Sequence, residues 1–348
     1  MEYDFLIIGQ GLAGTAMAYQ LIKAGKRVSI LDQPAKNQSS RIAAGLYNPV
    51  TGKKMVKTWK GEVLFPALHR FYVELESITG AKFLMNKSIY RPFLSVEELN
   101  EWMGHSSDEN IGMFIESIYS ESQNPLIRDS FGGVMLRHSG WLNIPAFLEA
   151  MASYFGSDLI LDEFDESKLE RKGSGWEYAG DFFGGIIYCN GLEAKQSKFF
   201  SFLPFAPVKG EILEVKQNFE YEGIINRGVF RVPLGDQTCR VGSTYTWHDL
   251  ETGPTESAKN ELLEKLTQLV KVEVSQVLSH KHGIRPATKD RKPFLGKHPQ
   301  EDGVYIFNGF GAKGVSLVPY FSEQMTNYLL NAATLDPEVD IARYFKYI

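Results

Sequence analysis

Residues 3 to 14 read Tyr3-Asp4-Phe5-Leu6-Ile7-Ile8-Gly9-Gln10-Gly11-Leu12-Ala13-Gly14, and this stretch decides the fold. The apolar run Phe5 to Ile8 predicts a buried strand that stops at Gly9. Gly9, Gly11 and Gly14 stand in the spacing G-x-G-x-x-G. A helix is predicted from Thr15 to Ala24, closed by Gly25, and a second apolar run, Val28 to Leu31, leads into Asp32. Gly9 permits a tight turn, Gly11 lets a pyrophosphate approach the backbone, and Gly14 lets the helix pack closely on the sheet. The free N–H groups at the helix start favour phosphate charge, and Asp32 can accept hydrogen bonds from ribose hydroxyls. Strand, turn, helix, strand and acid occur in order, so a bound dinucleotide is expected. The alternative is an ordinary βαβ unit with a glycine turn. Asp32 is followed by Gln33 and Pro34 with no adjacent arginine, which argues against a 2′-phosphate.

The 348 residues, 43% of them hydrophobic, suffice for one large domain or two intertwined ones. A net charge of −5 gives no bulk attraction to nucleic acid or anionic membrane, though it leaves room for a local basic pocket. The two cysteines, Cys189 and Cys239, make neither a disulfide framework nor a metal site, and no metal motif stands out elsewhere. The N-terminal apolar run belongs to the first strand rather than to a signal peptide, and no apolar stretch approaches a membrane span. A cytoplasmic protein is expected.

Residues 35 to 61 read as loop. The small residues Ala43, Ala44 and Gly45 either let backbone lie against something flat or pack a helix start on the sheet. Residues 62 to 79 carry the apolar spacing of an amphipathic helix. From Lys82 to Leu136 the pattern changes to short segments, including Tyr90-Arg91-Pro92-Phe93 and a helix over Val96 to Met103. Asn143 before Ile144-Pro145 reads as an N-cap. Gly185 to Gly191 repeats the opening theme of an apolar strand ending in glycine. Residues 210 to 247 alternate as antiparallel strands do, and Ser257 to Leu278 reads as helix. Gly283 to Gly296 reads as a stiff loop. Val304 to Phe307 is a strand, followed by a glycine-rich loop and a helix from near Val315.

Over nearly its whole length the chain resembles the FAD-dependent oxidoreductases of the D-amino-acid oxidase, glycine oxidase and sarcosine oxidase type. The resemblance rests on Gly9-x-Gly11-x-x-Gly14 with Asp32, Ala43-Ala44-Gly45, Pro207-Val208-Lys209-Gly210, Val232-Pro233 with Val241-Gly242-Ser243-Thr244, Gly283-x-Arg285-Pro286-x-Thr288-x-Asp290-x-x-Pro293, and the C-terminal glycine loop. It implies an α/β fold, α+β overall, in which a Rossmann-like FAD-binding domain interleaves with a mostly antiparallel substrate domain. The corresponding division is residues 1–81, 137–205 and 279–348 for FAD, and 82–136 and 206–278 for substrate.

The resemblance also implies roles. The cofactor set carried onto this chain is Gly9, Gly11, Leu12, Ala13 and Gly14; Asp32 and Gln33; Arg41, Ala43, Ala44 and Gly45; Gly191; Arg285; and Gly309, Gly311, Ala312, Lys313, Gly314 and Val315. Arg285 matches the arginine that pairs with a substrate carboxylate, a contact suited to a planar guanidinium. The other reading of Arg285 is an exposed member of a basic loop with Lys289, Arg291 and Lys292. Lys54 and Lys57 resemble an Arg-x-x-Arg pair that would share a helix face, with Lys57 expected beside Arg285 as a substrate-carboxylate anchor and a solvated face as the alternative; no acid or base residue is assigned.

The implied reaction moves a hydride from the carbon bearing an amine to flavin N5 and leaves an imine for water to hydrolyse. The substrate would be a small amine or amino acid bearing a carboxylate, and the electron acceptor oxygen or a quinone. Ala312 replaces an arginine of glycine oxidases, and Phe230 a tyrosine, so both departures weigh against glycine itself. Gly283 stands where sarcosine oxidases carry the flavin-linking cysteine, so FAD is expected to be held non-covalently. Two other readings remain. One is the oxidoreductase half of the bifunctional enzyme that finishes a modified wobble uridine in tRNA, suggested by Arg41 to Pro49. The other is a non-catalytic flavoprotein.

Overall fold

The computed structural model describes residues 1–33, 39–51 and 56–347. β1 (Glu2–Ile8), α1 (Leu12–Lys23) and β2 (Val28–Asp32) form a parallel βαβ unit, with Phe5 opposite Val28 and Ile8 opposite Leu31. Alternation sends Phe5 and Ile7 into one apolar cluster and Leu6 and Ile8 into another. Burial on both faces is why this strand is a continuous apolar run. Gly11 caps α1 and offers no side chain to its first N–H groups. Among the described residues these donors meet no side-chain acceptor, except that Leu12 N–H donates to Ser40 Oγ at 3.3 Å.

The chain then crosses repeatedly between two sheets. α2 (Gly61–Thr79) buries Phe65, Leu68, Phe71, Tyr72 and Leu75 of the expected apolar face together with Leu64, while Ile78 in its last turn is exposed. β3 (Ile89–Pro92) enters the second sheet. α3 (Ile144–Phe155), whose Ala146 N–H donates to Asn143 Oδ1, returns to the first. There β4 (Leu159–Leu161) lies outside β2, and β5 (Asp181–Tyr188) lies beside β1. β6 (Val208–Gln217), β7 (Ile224–Arg227), β8 (Val229–Gly235), β9 (Thr238–Gly242) and β10 (Val274–Arg285) go back to the second sheet. β11 (Val304–Asn308) joins β5, and α4 (Gly314–Asn331) packs on α1 and α2.

The parallel strands of the first sheet run in the order β4-β2-β1-β5-β11, which in chain order is the doubly wound 3-2-1-4-5 arrangement. The second sheet runs β10-β6-β9-β8-β7-β3 and continues through Gly133–Leu136 and Ile115–Tyr119. All its pairings are antiparallel except β7 with β3. One face of this sheet packs Leu213, Val215, Ile225 and Val241 against Leu262 and Leu266 of the helix Glu256–Thr267. The other face presents Ile212, Gly242, Phe230 and Asn226 side by side across four strands, and Arg91 follows in register.

Three expectations need correction. The helix expected over Ser257 to Leu278 ends at Thr267, and Val274 begins β10. Val270, Val272, Val274 and Val277 are β-branched, and the long ladder with β6 outweighs the helical spacing. Gly283, Ile284 and Arg285 therefore finish a strand, and the stiff loop begins only at Pro286. The expected boundary between 278 and 279 falls inside β10, at a register shift in its ladder with β6, where Ser279 lies opposite Glu214 and Val277 opposite Val215. No helix of the described residues is long and apolar enough to cross a membrane.

Candidate active site

A cavity of about 1160 Å³ lies between the carboxyl ends of β1 and β5 and the inner face of the second sheet. Ligands of doubly wound sheets bind at this switch point. Gly9 (φ 97°) turns the chain there, and its N–H donates to Leu31 O at 2.7 Å. A Cβ on Gly14 would stand 1.7 Å from Gly9 O, so Gly14 seats the helix behind the turn and is not part of the cavity wall. A Cβ on Gly11 would meet only Ser40, at 3.0 Å from Oγ. Asp32 Oδ1 accepts from Gln10 N–H at 2.8 Å, which fixes the carboxylate at the cavity edge.

Of the small-residue loop, Ala43, Ala44 and Gly45 all line the cavity. Gly45 is also demanded by packing, because a Cβ there would lie 1.9 Å from Leu142 O. The alternative of a helix start packed on the sheet does not hold, because the short helix Ser39–Ile42 ends before these residues and the strand Leu46–Tyr47 follows them.

The far end of the cavity is built from the second sheet. The Arg285 side chain lies over Gly210, where a Cβ would approach Nη2 to 2.0 Å. Arg285 Nη2 donates to Ser243 Oγ at 2.7 Å and to Thr244 O at 3.3 Å. Its Cζ sits 4.4 Å from the centre of the Tyr245 ring. No carboxylate pairs with it among the described residues. Burial lowers its pKa, and Tyr245 offsets part of that effect.

The loop that carries Ser243 and Tyr245 is held from beneath. Lys209 and Glu211 are each 1% exposed, with Nζ to Oε1 at 3.6 Å. Lys209 Nζ donates to Thr252 O at 2.9 Å, and Thr255 N–H donates to Glu211 Oε2 at 2.8 Å. Glu211 N–H donates to Thr244 Oγ1 at 3.0 Å. His280 Nε2 lies 2.8 Å from Glu211 Oε2.

Leu12, Ala13, Gln33, Gly191, Gly311, Ala312, Lys313, Gly314 and Val315 also line the cavity. Lys313 Nζ lies 3.5 Å from Thr58 Oγ1, and burial, with Arg291 and Lys292 nearby, lowers its pKa. Four expected residues do not reach the wall. Arg41 instead donates to Gln10 Oε1 at 3.3 Å. Gly309 (φ 77°) turns behind the wall, where its Cβ would meet Thr288 Cγ2 at 2.7 Å. Gly14 is placed as above. Lys57 sits in the short strand Val56–Lys57, antiparallel to Val50–Thr51, and pairs with Glu62 at 3.1 Å. It is therefore not on a helix face, and Lys54 lies outside the described residues.

Sequence reasoning assigned no role to Ser40, Arg91, Ser243 or Tyr245, all of which line the cavity. Ser243 and Tyr245 lie in or beside a block whose pattern drew attention as a whole. Burial and the Arg227 guanidinium lower the Arg91 pKa to about 10, with Glu98 opposing them.

The sequence model of one protein family, DAO: FAD dependent oxidoreductase, matches residues 4–328. The chain belongs to this family. This oxidoreductase is 24% identical over 343 residues to the glycine oxidase of Geobacillus kaustophilus, covering 91% of its own length and 90% of the relative's. It is 24% identical over 377 residues to the tRNA 5-methylaminomethyl-2-thiouridine biosynthesis bifunctional protein of Leptospira interrogans. That match takes in 93% of this chain but only 57% of the larger protein. The crystal structure of the G. kaustophilus glycine oxidase superposes with a TM-score of 0.79 at 22% identity, over 99% of this chain and 98% of that one. Iminodiacetate oxidase from Chelativorans gives 0.78 at 20% identity, over 98% of each chain. These superpositions show a shared fold.

Proposed function

We propose that this oxidoreductase breaks the C–N bond of an amine or amino acid bearing a carboxylate, with Arg285 as the carboxylate anchor. The observation that carries this reading is the Arg285 guanidinium, aimed into the cavity by Ser243, Thr244 and Tyr245 and given no acidic partner among the described residues.

The cavity fits FAD. Gly9, Gly11, Leu12 and Ala13 would hold the pyrophosphate, and Asp32 with Gln33 the adenosine ribose. Ala43 to Gly45 and the start of α4 at Lys313, Gly314 and Val315 would flank the ring system, with the α4 dipole favouring negative charge there. When bound, FAD supplies a two-electron acceptor for the hydride that leaves the carbon bearing the amine. Arg285 fixes that carbon by its carboxylate. Ile212 and Phe230 would supply the apolar wall beside the C–H bond. The resulting imine then hydrolyses to carbonyl and amine.

FAD is taken to be non-covalent. Gly283 offers no thiol where a flavin-linking cysteine would stand, and both cysteine thiols, Cys189 at the cavity wall and Cys239, are buried, which raises their pKa values. Cys239 packs in the cluster on the far face of the second sheet. The purified protein should be yellow, and acid or heat should release FAD rather than FMN. A colourless protein that binds NAD in place of FAD would overturn the cofactor assignment.

The test of the activity is anaerobic bleaching of the bound flavin by a panel of primary and secondary amines with and without carboxylates, followed by reoxidation with oxygen or a quinone. The likeness to the Leptospira protein supports a second reading, in which the carboxylate-bearing amine is carried on a tRNA wobble uridine. Bleaching by that tRNA alone, with strong salt dependence, would favour it. A flavin that no panel member reduces would leave a non-catalytic flavoprotein.

A further inference from the structure

Arg91 is a second arginine in the same cavity, and it lacks an adequate partner. Its side chain is 13% exposed and lines the cavity wall. Its Nε is buried with no hydrogen-bond partner among the described residues. The acid near it among the described residues is Glu98, at 3.9 Å from Nε. Glu98 is already engaged by Arg227, whose Nη1 lies 2.8 Å from Oε1. Two guanidinium groups therefore share one carboxylate in a largely buried place, and one positive charge is left over beside the cavity. A buried cation without a counter-ion is costly, and an anion supplied by a ligand removes that cost.

The register places Arg91 relative to Arg285. Arg285 reaches over Gly210 to Ser243, next to Gly242. Gly242, Phe230 and Asn226 face one another across β9, β8 and β7, and Arg91 is next on β3. Gly242 and Arg91 are three strand spacings apart, roughly 14 Å between backbones, and the Arg285 backbone lies two strands further on, at β10, so each arginine side chain spans part of the gap. Gly242, Phe230 and Asn226 line the cavity between them.

We infer that Arg91 is a second anion anchor and that the substrate is an extended dianion, with one carboxylate at Arg285 and a second oxyanion, carboxylate or phosphate, at Arg91. This rests on the reading of Arg285 given above. A substrate as small as glycine engages only one of the two cations.

The test uses the FAD-loaded protein and ligands that carry no amine. These are α,ω-dicarboxylates from malonate to suberate, the matching monocarboxylates, and ω-phosphonocarboxylates. Binding is read from the change in flavin absorbance. The native protein should bind one dianion at least about 10-fold more tightly than the monocarboxylate of equal length, within the range for a charge-assisted pair. Whether the carboxylate or the phosphonate is preferred identifies the second oxyanion. Arg91→Gln should abolish the preference, and Arg91→Lys should restore part of it. The inference is overturned if the native protein prefers no dianion, or if the ratio of dianion to monoanion affinity survives Arg91→Gln because both fall together. If Arg91→Gln does not fold, the native series and Arg91→Lys decide. A dianion preference that depends on Arg91, in a protein whose flavin no amine reduces, would overturn the amine-oxidising reading and leave the second anchor standing.

Discussion

Gly11→Val should yield a folded protein that has lost its flavin. Gly11 has φ −78° and ψ −170°, a conformation any residue adopts, so the backbone is not strained. The nearest atom to an added Cβ is Ser40 Oγ at 3.0 Å, the end of a movable side chain. The valine methyl groups would project into the space above the first turn of α1, where the pyrophosphate is expected. FAD affinity should fall by at least about 100-fold, equivalent to about 2.7 kcal/mol. Circular dichroism and the melting temperature of the flavin-free protein should stay near those of the flavin-free native chain. Gly14→Val is the contrasting control, because its Cβ would sit 1.7 Å from a backbone oxygen and the βαβ unit itself should fail. A Gly11→Val protein that purifies with a full complement of FAD would mean that residues 9 to 14 are not the phosphate site.

Arg285→Ala should lower kcat/KM toward a carboxylate-bearing amine by at least about 30-fold, a loss of about 2 kcal/mol in transition-state stabilisation. FAD content should not change. Arg285→Lys should recover only part of the rate, since an ammonium cannot reproduce the planar fork. Gly210→Ala offers an independent route to the same result. Its methyl would fall 2.0 Å from Arg285 Nη2 and push the guanidinium off Ser243 while leaving every charge in place. An amine without a carboxylate should be nearly indifferent to all three changes. Equal losses on both kinds of amine, or loss of FAD, would make Arg285 a structural residue.

The βαβ unit was legible because its signals are local: the turn glycines, the helix and Asp32 fall within thirty-odd consecutive residues. β10 was misread because its partner β6 lies far away in sequence, at Val208 opposite Arg285, and a short window cannot see a distant ladder. Arg91 escaped notice for the same reason. Its place in the cavity depends on β3 pairing with β7, where Tyr90 lies opposite Ile225. Lys57 was misplaced because the i,i+3 spacing predicts a shared face only if a helix forms, and there the chain makes a short antiparallel pair. Arg285 stood out in the sequence through Gly283-Ile284-Arg285-Pro286. Its aim was not, since it depends on the missing Cβ of Gly210.

The buried Lys209–Glu211 pair fixes how this site meets a ligand. Lifting the segment from Thr244 to Thr255 would leave the pair itself on β6 but take the Thr252 carbonyl from Lys209 and the Thr255 amide from Glu211, and each buried hydrogen bond left unmade costs about 1–3 kcal/mol. The wall behind Arg285 is therefore preorganised, and no ordering entropy is spent there when a carboxylate arrives. Competing carboxylates should then associate at similar rates and differ mainly in residence time, so selectivity at this wall will be found in dissociation rates.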